Sequence, residues 1–258
     1  MRLVLLGDPV AHSRSPAILQ AALAAVGIEG RYEARRVDLS GVYRACAEIR
    51  AGVLHGANVT MPHKQTAAWA ADRLAPAAGR CRAVNTLVGE DGEVVGHNTD
   101  VGGLRLVREW AGLPAGAPVL VLGAGGAAAA ALVAFSGAPL HVAARSAGAG
   151  RALAAGLGLE AAEVPWGQAV PGALVVNATP VGSDGGRLPP GVVEQAAGLI
   201  DLPYGPGVTP AAAAARRQGL PTADGLEILV AQAALSFRLW TGIEAPLVVM
   251  RQAVRAGG

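Results

Sequence analysis

The sequence predicts an α/β protein of two lobes, on three observations. Short apolar runs alternate with helical stretches along most of the 258 residues, the order that builds a mostly parallel sheet. At Val119-Leu-Val-Leu122 an apolar run leads directly into Gly123-Ala-Gly-Gly126-Ala127 and an alanine-rich helix, so a second unit opens partway along the chain. After Asp224-Gly225 the alternation gives way to two helices, Leu226 to Trp240 and Pro246 to Ala253. Late helices of this kind cross back to the first lobe. The expected division is residues 1–102 with about 240–258 as one domain and residues 103–239 as the other.

Each element has a local reason. Leu3 to Gly7 is a short apolar run ending in Gly-Asp-Pro, as a buried strand does. Ser15-Pro16 opens a helix, with serine as N-cap and proline in the first turn, and that helix ends at Gly27. Arg31 to Val37 reads as the second strand, Val42 to Arg50 as the second helix and Leu54 to Val59 as the third strand. Thr60 and Met61 then lead into a helix with Pro62 at its start, which puts Lys64 about one turn in. Val84 to Gly89 and Glu93 to Gly96 flank Glu90-Asp91-Gly92, a hairpin turn that adds one antiparallel element. Past Gly102-Gly103 a helix runs to about Gly112, and Leu113 to Pro118 is a connecting loop. Pro139 to Ala143, Ala173 to Val176 and Leu199 to Asp201 are the later strands of the second unit.

Composition excludes several classes. Hydrophobic residues make up 52% and charged residues 16%, which is globular rather than disordered. No apolar stretch is long and clean enough to span a bilayer, and no secretory signal is visible, so a cytoplasmic location is expected. The net charge of +2 carries no basic cluster of the kind that grips nucleic acid. Cys46 and Cys81 lack metal or redox spacing and read as small core residues. No metal site is expected.

The turn Gly123-x-Gly125-x-x-Ala128 suits phosphate binding, because glycines let the backbone approach a pyrophosphate and a helix N-terminus faces it. Standing between a strand and a helix, it reads as the start of a Rossmann-type dinucleotide-binding unit; a tight turn in a nucleotide-free domain is the plainer alternative. An NAD site wants an acidic residue about 20 residues further on. Between Glu109 and Glu160 there is no Asp or Glu, and Arg145 stands at the expected place. An arginine there suits a 2′-phosphate and selects NADP over NAD, unless Arg145 is only a solvated surface charge.

The scarce residues gather. Lys64 is the only lysine among 21 basic side chains. Arginine supplies charge equally well but does not give up its proton, whereas lysine can. A stray lysine by chance is the alternative. All four asparagines sit beside a threonine: Asn58-Val-Thr60, Asn85-Thr86, Asn98-Thr99-Asp100 and Asn177-Ala-Thr179. They either orient something polar or serve turns and caps. Ser13 and Ser15 add hydroxyls at the first strand-to-helix junction. Hydroxyls, amides, a lysine and an aspartate without a metal cluster describe a pocket for a small polyol acid.

With these pieces in one order, the chain resembles the shikimate dehydrogenase family over its whole length. The matching segments are Gly7-Asp-Pro-Val-Ala-His-Ser13-Arg-Ser15-Pro16, Gly56-Ala-Asn-Val-Thr-Met-Pro-His-Lys64, Gly96-x-Asn98-Thr-Asp100 and Gly123-Ala-Gly-Gly-Ala127. Asn177-Ala-Thr-Pro180, Asp201-Leu-Pro-Tyr204-x-Pro206 and Asp224-Gly225-Leu-Glu-Ile-Leu-Val-x-Gln232 complete the set. The resemblance implies reversible NADPH-dependent reduction of 3-dehydroshikimate to shikimate, a step of aromatic amino-acid biosynthesis. It implies that Ser13 and Ser15 hold the substrate carboxylate, with Tyr204 near it. Asn58, Thr60, Asn85, Asp100 and Gln232 would bind ring hydroxyls. Gly123, Ala124, Gly125, Gly126 and Ala127 would receive the pyrophosphate, Ala144, Arg145 and Ser146 the adenosine phosphate, and Leu202 and Gly225 the nicotinamide. Shikimate and 3-dehydroshikimate would be its partners, with no nucleic acid and no membrane, and a homodimer is compatible with it.

Hydride transfer to a ketone leaves an alkoxide that needs a proton, so Lys64 and Asp100 are the implied catalytic pair. A helix start favours release of the lysine proton, and Asp100, if adjacent, favours holding it. An N-cap for the segment from Val101 is the plainer role for Asp100. The family commonly has Asn-Arg-Thr where this chain has Ala144-Arg145-Ser146, so fewer contacts to the adenosine phosphate are expected. Arg151 reads as a helix-surface residue, His12, Met61 and His63 as motif residues without a catalytic role, and Trp69, Trp110, Trp166 and Trp240 as packing. A quinate/shikimate dehydrogenase with relaxed cofactor use, and a non-catalytic nucleotide-sensing regulator on the same fold, are the competing readings.

Overall fold

The computed structural model describes residues 1–205 and 207–256; Pro206, which ends the Asp201-to-Pro206 motif, and Gly257 and Gly258 lie outside the described residues. The chain divides into two compact units, Met1–Thr99 with the segment from Leu229 onward, and Asp100–Ile228. The C-terminal return to the first unit thus begins at Leu229 rather than near residue 240, and the outgoing boundary falls at Thr99 rather than Gly102.

In the first unit the elements are β1 (Arg2–Gly7), α1 (Ser15–Ala25), β2 (Arg31–Arg36), α2 (Leu39–Arg50), β3 (Gly56–Val59), α3 (Lys64–Ala70), β4 (Arg73–Leu74), α4 (Pro76–Cys81), β5 (Thr86–Glu90) and β6 (Glu93–His97). Their sheet has the order β2-β1-β3-β5-β6-β4. β1 runs parallel to β2 and β3, and β4 runs parallel to β6, whereas β5 is antiparallel to both β3 and β6. One reversed strand in an otherwise parallel sheet is the arrangement the hairpin signal predicted. Asp91 and Gly92 make its turn with φ of 49° and 83°, the left-handed pair that a two-residue hairpin needs.

Apolar side chains of β1, α2, β3, α3, β5 and β6 form a shared core that includes Leu6, Val42, Ile49, Leu54, Val59 and Leu87. Cys46 and Cys81 are both buried, as expected of small core residues. Trp69 is 72% exposed, so it does not pack as the sequence suggested.

The second unit contains α5 (Thr99–Trp110) from Asp100 onward, β7 (Val119–Leu122), α6 (Gly126–Ala134), β8 (Leu140–Ala143), α7 (Ala149–Gly156), β9 (Ala162–Glu163), β10 (Leu174–Asn177), β11 (Gly198–Asp201), α8 (Pro210–Arg217) and β12 (Thr222–Asp224). α9 (Gly225–Thr241) and α10 (Leu247–Ala256) end the chain. The six strands of this sheet are all parallel, in the order β12-β11-β10-β7-β8-β9. The first strand of the unit, β7, is therefore flanked by β8 on one side and β10 on the other. This is the doubly wound dinucleotide order, and ligands bind at the carboxyl ends of the two strands where it reverses. β7 and β10 are buried along their length because helices cover both faces.

Three local expectations are corrected. Ser15 is the first residue of α1 and not its N-cap; that position falls to Arg14, and Ser13 Oγ accepts from Ser15 N at 3.2 Å. Pro62 lies outside α3: Thr60–His63 closes as a turn, and the α-helical ladder starts with Ala67 N on His63 O. Lys64 is consequently the first residue of the helix rather than one turn in. α5 begins at Thr99, before Gly102-Gly103, so Asp100 sits inside its first turn and is not its cap.

Candidate active site

Each sheet carries a cluster of the singled-out residues at its carboxyl-terminal edge. In the first unit β1 ends at Gly7, where Thr60 N bonds to Leu6 O at 2.8 Å and Asp8 N to Met61 O at 3.1 Å. A Cβ on Gly7 would lie 2.9 Å from Val10 Cγ1 and 3.1 Å from Met61 O. Only glycine lets the two strand ends approach this closely. Peptide bonds Asp8–Pro9 and Met61–Pro62 are both cis. Ser13 and Ser15 follow β1, with Ser15 buried and Ser13 half-buried.

Lys64 is half-buried at the start of α3, and its carbonyl accepts from Val84 N at 2.9 Å. The residue before it, His63, is buried, with Nε2 2.8 Å from Val37 O. A carbonyl only accepts, so Nε2 carries the proton, and among the described residues Nδ1 has no partner. This bond ties the turn that presents Lys64 to the chain after β2.

Beside it lies a closed polar network in which Asn58 is the hub. Its Nδ2 reaches Asn85 O (3.0 Å), Thr86 Oγ1 (3.0 Å) and Ser236 Oγ (3.1 Å), while Oδ1 accepts from Tyr32 Oη at 2.7 Å. Two amide hydrogens facing three acceptors leave no donor for a ligand. The expected contact of Asn58 to a ring hydroxyl is therefore limited to its oxygen. Asn85 Nδ2 donates to Thr99 Oγ1 at 2.9 Å, and Asn85 Oδ1 accepts from Thr99 N at 2.7 Å. Ser236 Oγ, fully buried, lies 2.9 Å from Thr86 Oγ1 and 3.2 Å from Thr99 Oγ1 and donates to Gln232 O at 3.0 Å. Gln232 is half-buried one turn before it on α9, with Oε1 3.5 Å from Thr99 Oγ1 and Nε2 bonded to Leu229 O at 2.8 Å. Sequence reading found Asn58, Asn85 and Gln232 but missed Tyr32 and Ser236, which do as much to orient them.

In the second unit the glycine turn lines a cavity of about 300 Å³ together with Ala144, Arg145, Ser146, Ala149, Trp166 and the turn Ala178–Val181. It opens between the ends of β7 and β10, where the strand order reverses. Gly123 has φ of 117°, and a Cβ there would lie 2.9 Å from Ala178 O. Gly125 and Gly126 would meet nothing within 4 Å, so the turn faces open space in front of the N-terminus of α6. Gly126 and Ala127 begin that helix behind the cavity wall. These features fit a dinucleotide pyrophosphate, which needs bare backbone and free helical N–H groups. Arg145 is exposed on the wall and Ala144 offers no polar atom. Arg151 is on α7, paired with Glu163 at 3.2 Å, in keeping with a surface role. Trp166, read as packing, both leans on the core and lines the cavity.

Asp201 ends β11 with no exposure and accepts from Asn177 Nδ2 at 2.7 Å and from the Thr209 hydroxyl. Burial raises its pKa above the ordinary carboxylate value; the bonds from Thr209 and Asn177 oppose the rise, and the charge of Asp224 adds to it. Leu202 and Tyr204 follow β11 and are both half-buried. A Cβ on Gly225 would lie 2.8 Å from Pro203 O and 3.0 Å from Pro203 C, so only glycine lets α9 start against this segment. Asp100, half-buried, belongs to the second unit. Among the described residues no group of three or more His, Cys, Asp or Glu side chains could hold a metal ion, and no helix is long and apolar enough to cross a membrane.

The same two clusters can be set against known proteins. The shikimate dehydrogenase substrate binding domain profile matches residues 5–87 and the shikimate 5'-dehydrogenase C-terminal domain profile matches residues 225–255. A shikimate dehydrogenase (NADP(+)) of Thermus thermophilus is 38% identical over 260 residues, covering 99% of this chain and 98% of its own. That of Dechloromonas aromatica is 42% identical over 250 residues, covering 92% and 91%. Among solved structures, a shikimate 5-dehydrogenase from Thermus thermophilus, in complex with NADP(H) and shikimate, superposes with a TM-score of 0.91 at 37% identity and covers 100% of both chains. A shikimate 5-dehydrogenase from Listeria monocytogenes, in complex with shikimate and NAD, has a TM-score of 0.84 at 27% identity over 97% of this chain and 95% of that one. An all-parallel dinucleotide sheet, a mixed sheet bearing lysine and amides at its carboxyl edge, and end-to-end identity near two-fifths agree, and the chain belongs to the shikimate dehydrogenase family.

Proposed function

We propose that this protein is an NADP-dependent shikimate dehydrogenase that reversibly reduces 3-dehydroshikimate to shikimate. The observation that carries the reading is the pairing of functions within one chain. The first sheet ends in Ser13, Ser15, Thr60, Lys64 and Asn85, a set of hydroxyl, amide and amine groups suited to a polyol carboxylate. The second ends in a cavity lined by the glycine turn, whose wall carries Arg145 where an acidic residue would select NAD. End-to-end identity to proteins named shikimate dehydrogenase (NADP(+)) supports both halves.

The nucleotide, when bound, supplies the hydride. The chain's own groups do the rest. Ser13 and Ser15 donate their hydroxyls to the substrate carboxylate, with Tyr204 near it. Thr60, Asn85, Gln232 and the oxygen of Asn58 hold ring hydroxyls, and their fixed orientations present one face of the ketone. As hydride reaches the carbonyl carbon, charge develops on its oxygen, and Lys64 Nζ delivers the proton there. In the reverse direction the amine accepts that proton from the alcohol. Asp100 steadies the ammonium and shares the proton work. On the second unit Gly123 to Ala127 would offer backbone N–H groups to the pyrophosphate of NADP, Arg145 and Ser146 would hold its 2′-phosphate, and Leu202 and Gly225 would lie on the nicotinamide side.

The test is direct. The purified protein mixed with NADPH and 3-dehydroshikimate should oxidise NADPH with one equivalent of shikimate formed. NADH in place of NADPH, and 3-dehydroquinate (the ketone of quinate) in place of 3-dehydroshikimate, serve as parallel arms. No NADPH oxidation with 3-dehydroshikimate would overturn the proposal, and equal rates in all arms would replace it with the relaxed quinate/shikimate reading.

A further inference from the structure

Asp201 is buried completely, is ionisable, and has no part in the proton or hydride chemistry. Placing a carboxyl group where water cannot reach it is unfavourable unless its partners compensate. Its surroundings show where that expense is used. β10 and β11 pair in parallel with Asn177 opposite Asp201. One carboxyl oxygen takes Asn177 Nδ2 at 2.7 Å and the other takes the Thr209 hydroxyl. Thr209 is thereby held as the N-cap of α8, its Oγ1 accepting from Ala212 N at 3.1 Å.

The Asn177 amide passes this constraint on. Its second N–H goes to Val181 O at 3.0 Å, and its oxygen accepts from Thr179 N at 3.2 Å and from the Thr179 hydroxyl at 2.6 Å. Thr179 Oγ1 in turn accepts from Val181 N at 3.2 Å. The turn Ala178–Val181 is therefore shaped by one amide, and that turn is a wall of the glycine-turn cavity. It also stands against the glycine turn itself, since Ala178 O is the atom that a Cβ on Gly123 would strike. If the Asn177 amide rotated by half a turn, its NH2 would face Thr179 N and its oxygen would face Val181 O, and three bonds would be lost. Asp201 Oδ1, which accepts from the same NH2 group, adds to Val181 O and Thr179 N in excluding that state.

We propose that Asp201 is a positioning residue for nucleotide binding, fixing the Asn177 amide and through it the Thr179–Val181 wall of the cavity. The proposal rests on the reading of that cavity as the nucleotide site. In Asp201→Ala both carboxyl acceptors are removed, so Asn177 Nδ2 and the Thr209 hydroxyl each lose a bond and the amide lock is lost. The KM for NADPH should rise about tenfold, the effect of one buried bond left unmade. The KM for 3-dehydroshikimate and kcat at saturating NADPH should stay within about twofold.

Thr209→Val, which removes the second donor, should move the NADPH KM in the same direction by less. Thr209→Ser, which keeps the hydroxyl, should restore it. An unchanged NADPH KM in folded Asp201→Ala would overturn the proposal. So would a fall in kcat and a rise in both KM values that track the loss of melting temperature, as a purely structural role requires. If Asp201→Ala does not fold, the valine and serine variants at Thr209 decide between the same outcomes. Wild-type protein that binds no NADPH defeats the cavity reading and this proposal together, whereas NADPH binding unaffected by the substitutions defeats this proposal alone.

Discussion

Tyr32 donates its hydroxyl to Asn58 Oδ1 at 2.7 Å, reaching across β1, which lies between their strands in the sheet. The register sets Tyr32 beside Leu3 and Asn58 beside Leu5, so the two side chains meet on one face. Both are buried, and burial raises the Tyr32 hydroxyl well above its ordinary value of 10.0, which keeps it a donor. With the oxygen of Asn58 committed to Tyr32, its amide hydrogens must face Asn85, Thr86 and Ser236.

Tyr32→Phe removes that lock without changing packing volume much. Leaving the buried Asn58 oxygen without its donor should cost about 1–3 kcal/mol of stability. The KM for 3-dehydroshikimate should rise while that for NADPH holds, because the disturbed amides lie in the first unit. Thermal unfolding and steady-state kinetics check both. A variant as stable as wild type with an unchanged substrate KM would show that the pair does not order the site.

Arg145 is exposed on the cavity wall, with Ala144 and Ser146 as its neighbours. Arg145→Ala should weaken NADPH binding about tenfold or more, since charge-assisted bonds to phosphate contribute about 1.5–3 kcal/mol. NADH binding should change little. The ratio of the two kcat/KM values measures this, and an unaltered ratio would refute a phosphate-reading role. Because alanine replaces the asparagine common at residue 144, most of the discrimination should reside in this one guanidinium.

Stability should also fall in alkali through Cys46. Burial pushes its thiol from 9.0 up to about 11, with the nearby Arg50 charge pulling it back and Asp72 adding to the rise. A raised folded value means that the neutral thiol is the form the fold accepts. The stabilisation is therefore complete below pH 9 and lost as pH rises toward 11. The loss should be on the order of 2–3 kcal/mol, at about 1.4 kcal/mol per pH unit of difference. Denaturant titrations of wild type and Cys46→Ala across this range should give a shallower fall in the variant. Parallel slopes would assign alkaline unfolding to other groups, Tyr32 first among them.

Much of this was legible in the sequence, for reasons that particular residues make plain. Val119 to Ala127 announces strand, turn and helix through contacts only a few residues apart, and Asp91-Gly92 announces a hairpin in the same way. The short strands β4 and β9, two residues each, carry no periodicity to detect. α7 showed in the sequence only through Arg151, read as a helix-surface residue, because its alanines and glycines fit loop and helix alike and mark neither end. The start of α3 was misjudged because Pro62 is equally at home in a first helical turn and in the turn before it. Ser236 was invisible because its partner Asn58 is 178 residues away. An isolated serine in an apolar helix gives no sign of a long-range bond. The return to the first unit was set too late because it occurs inside α9, at Leu229, where no break in composition marks it.

We propose that Lys64, the single lysine of the chain, moves the proton. Lys64→Ala should keep NADPH binding and shikimate binding within a few-fold when each is titrated directly. Its turnover of 3-dehydroshikimate should fall by about 10²–10⁴, the usual contribution of a positioned general acid. Intact binding with that loss of kcat is the predicted result; turnover near that of the wild-type protein would contradict it.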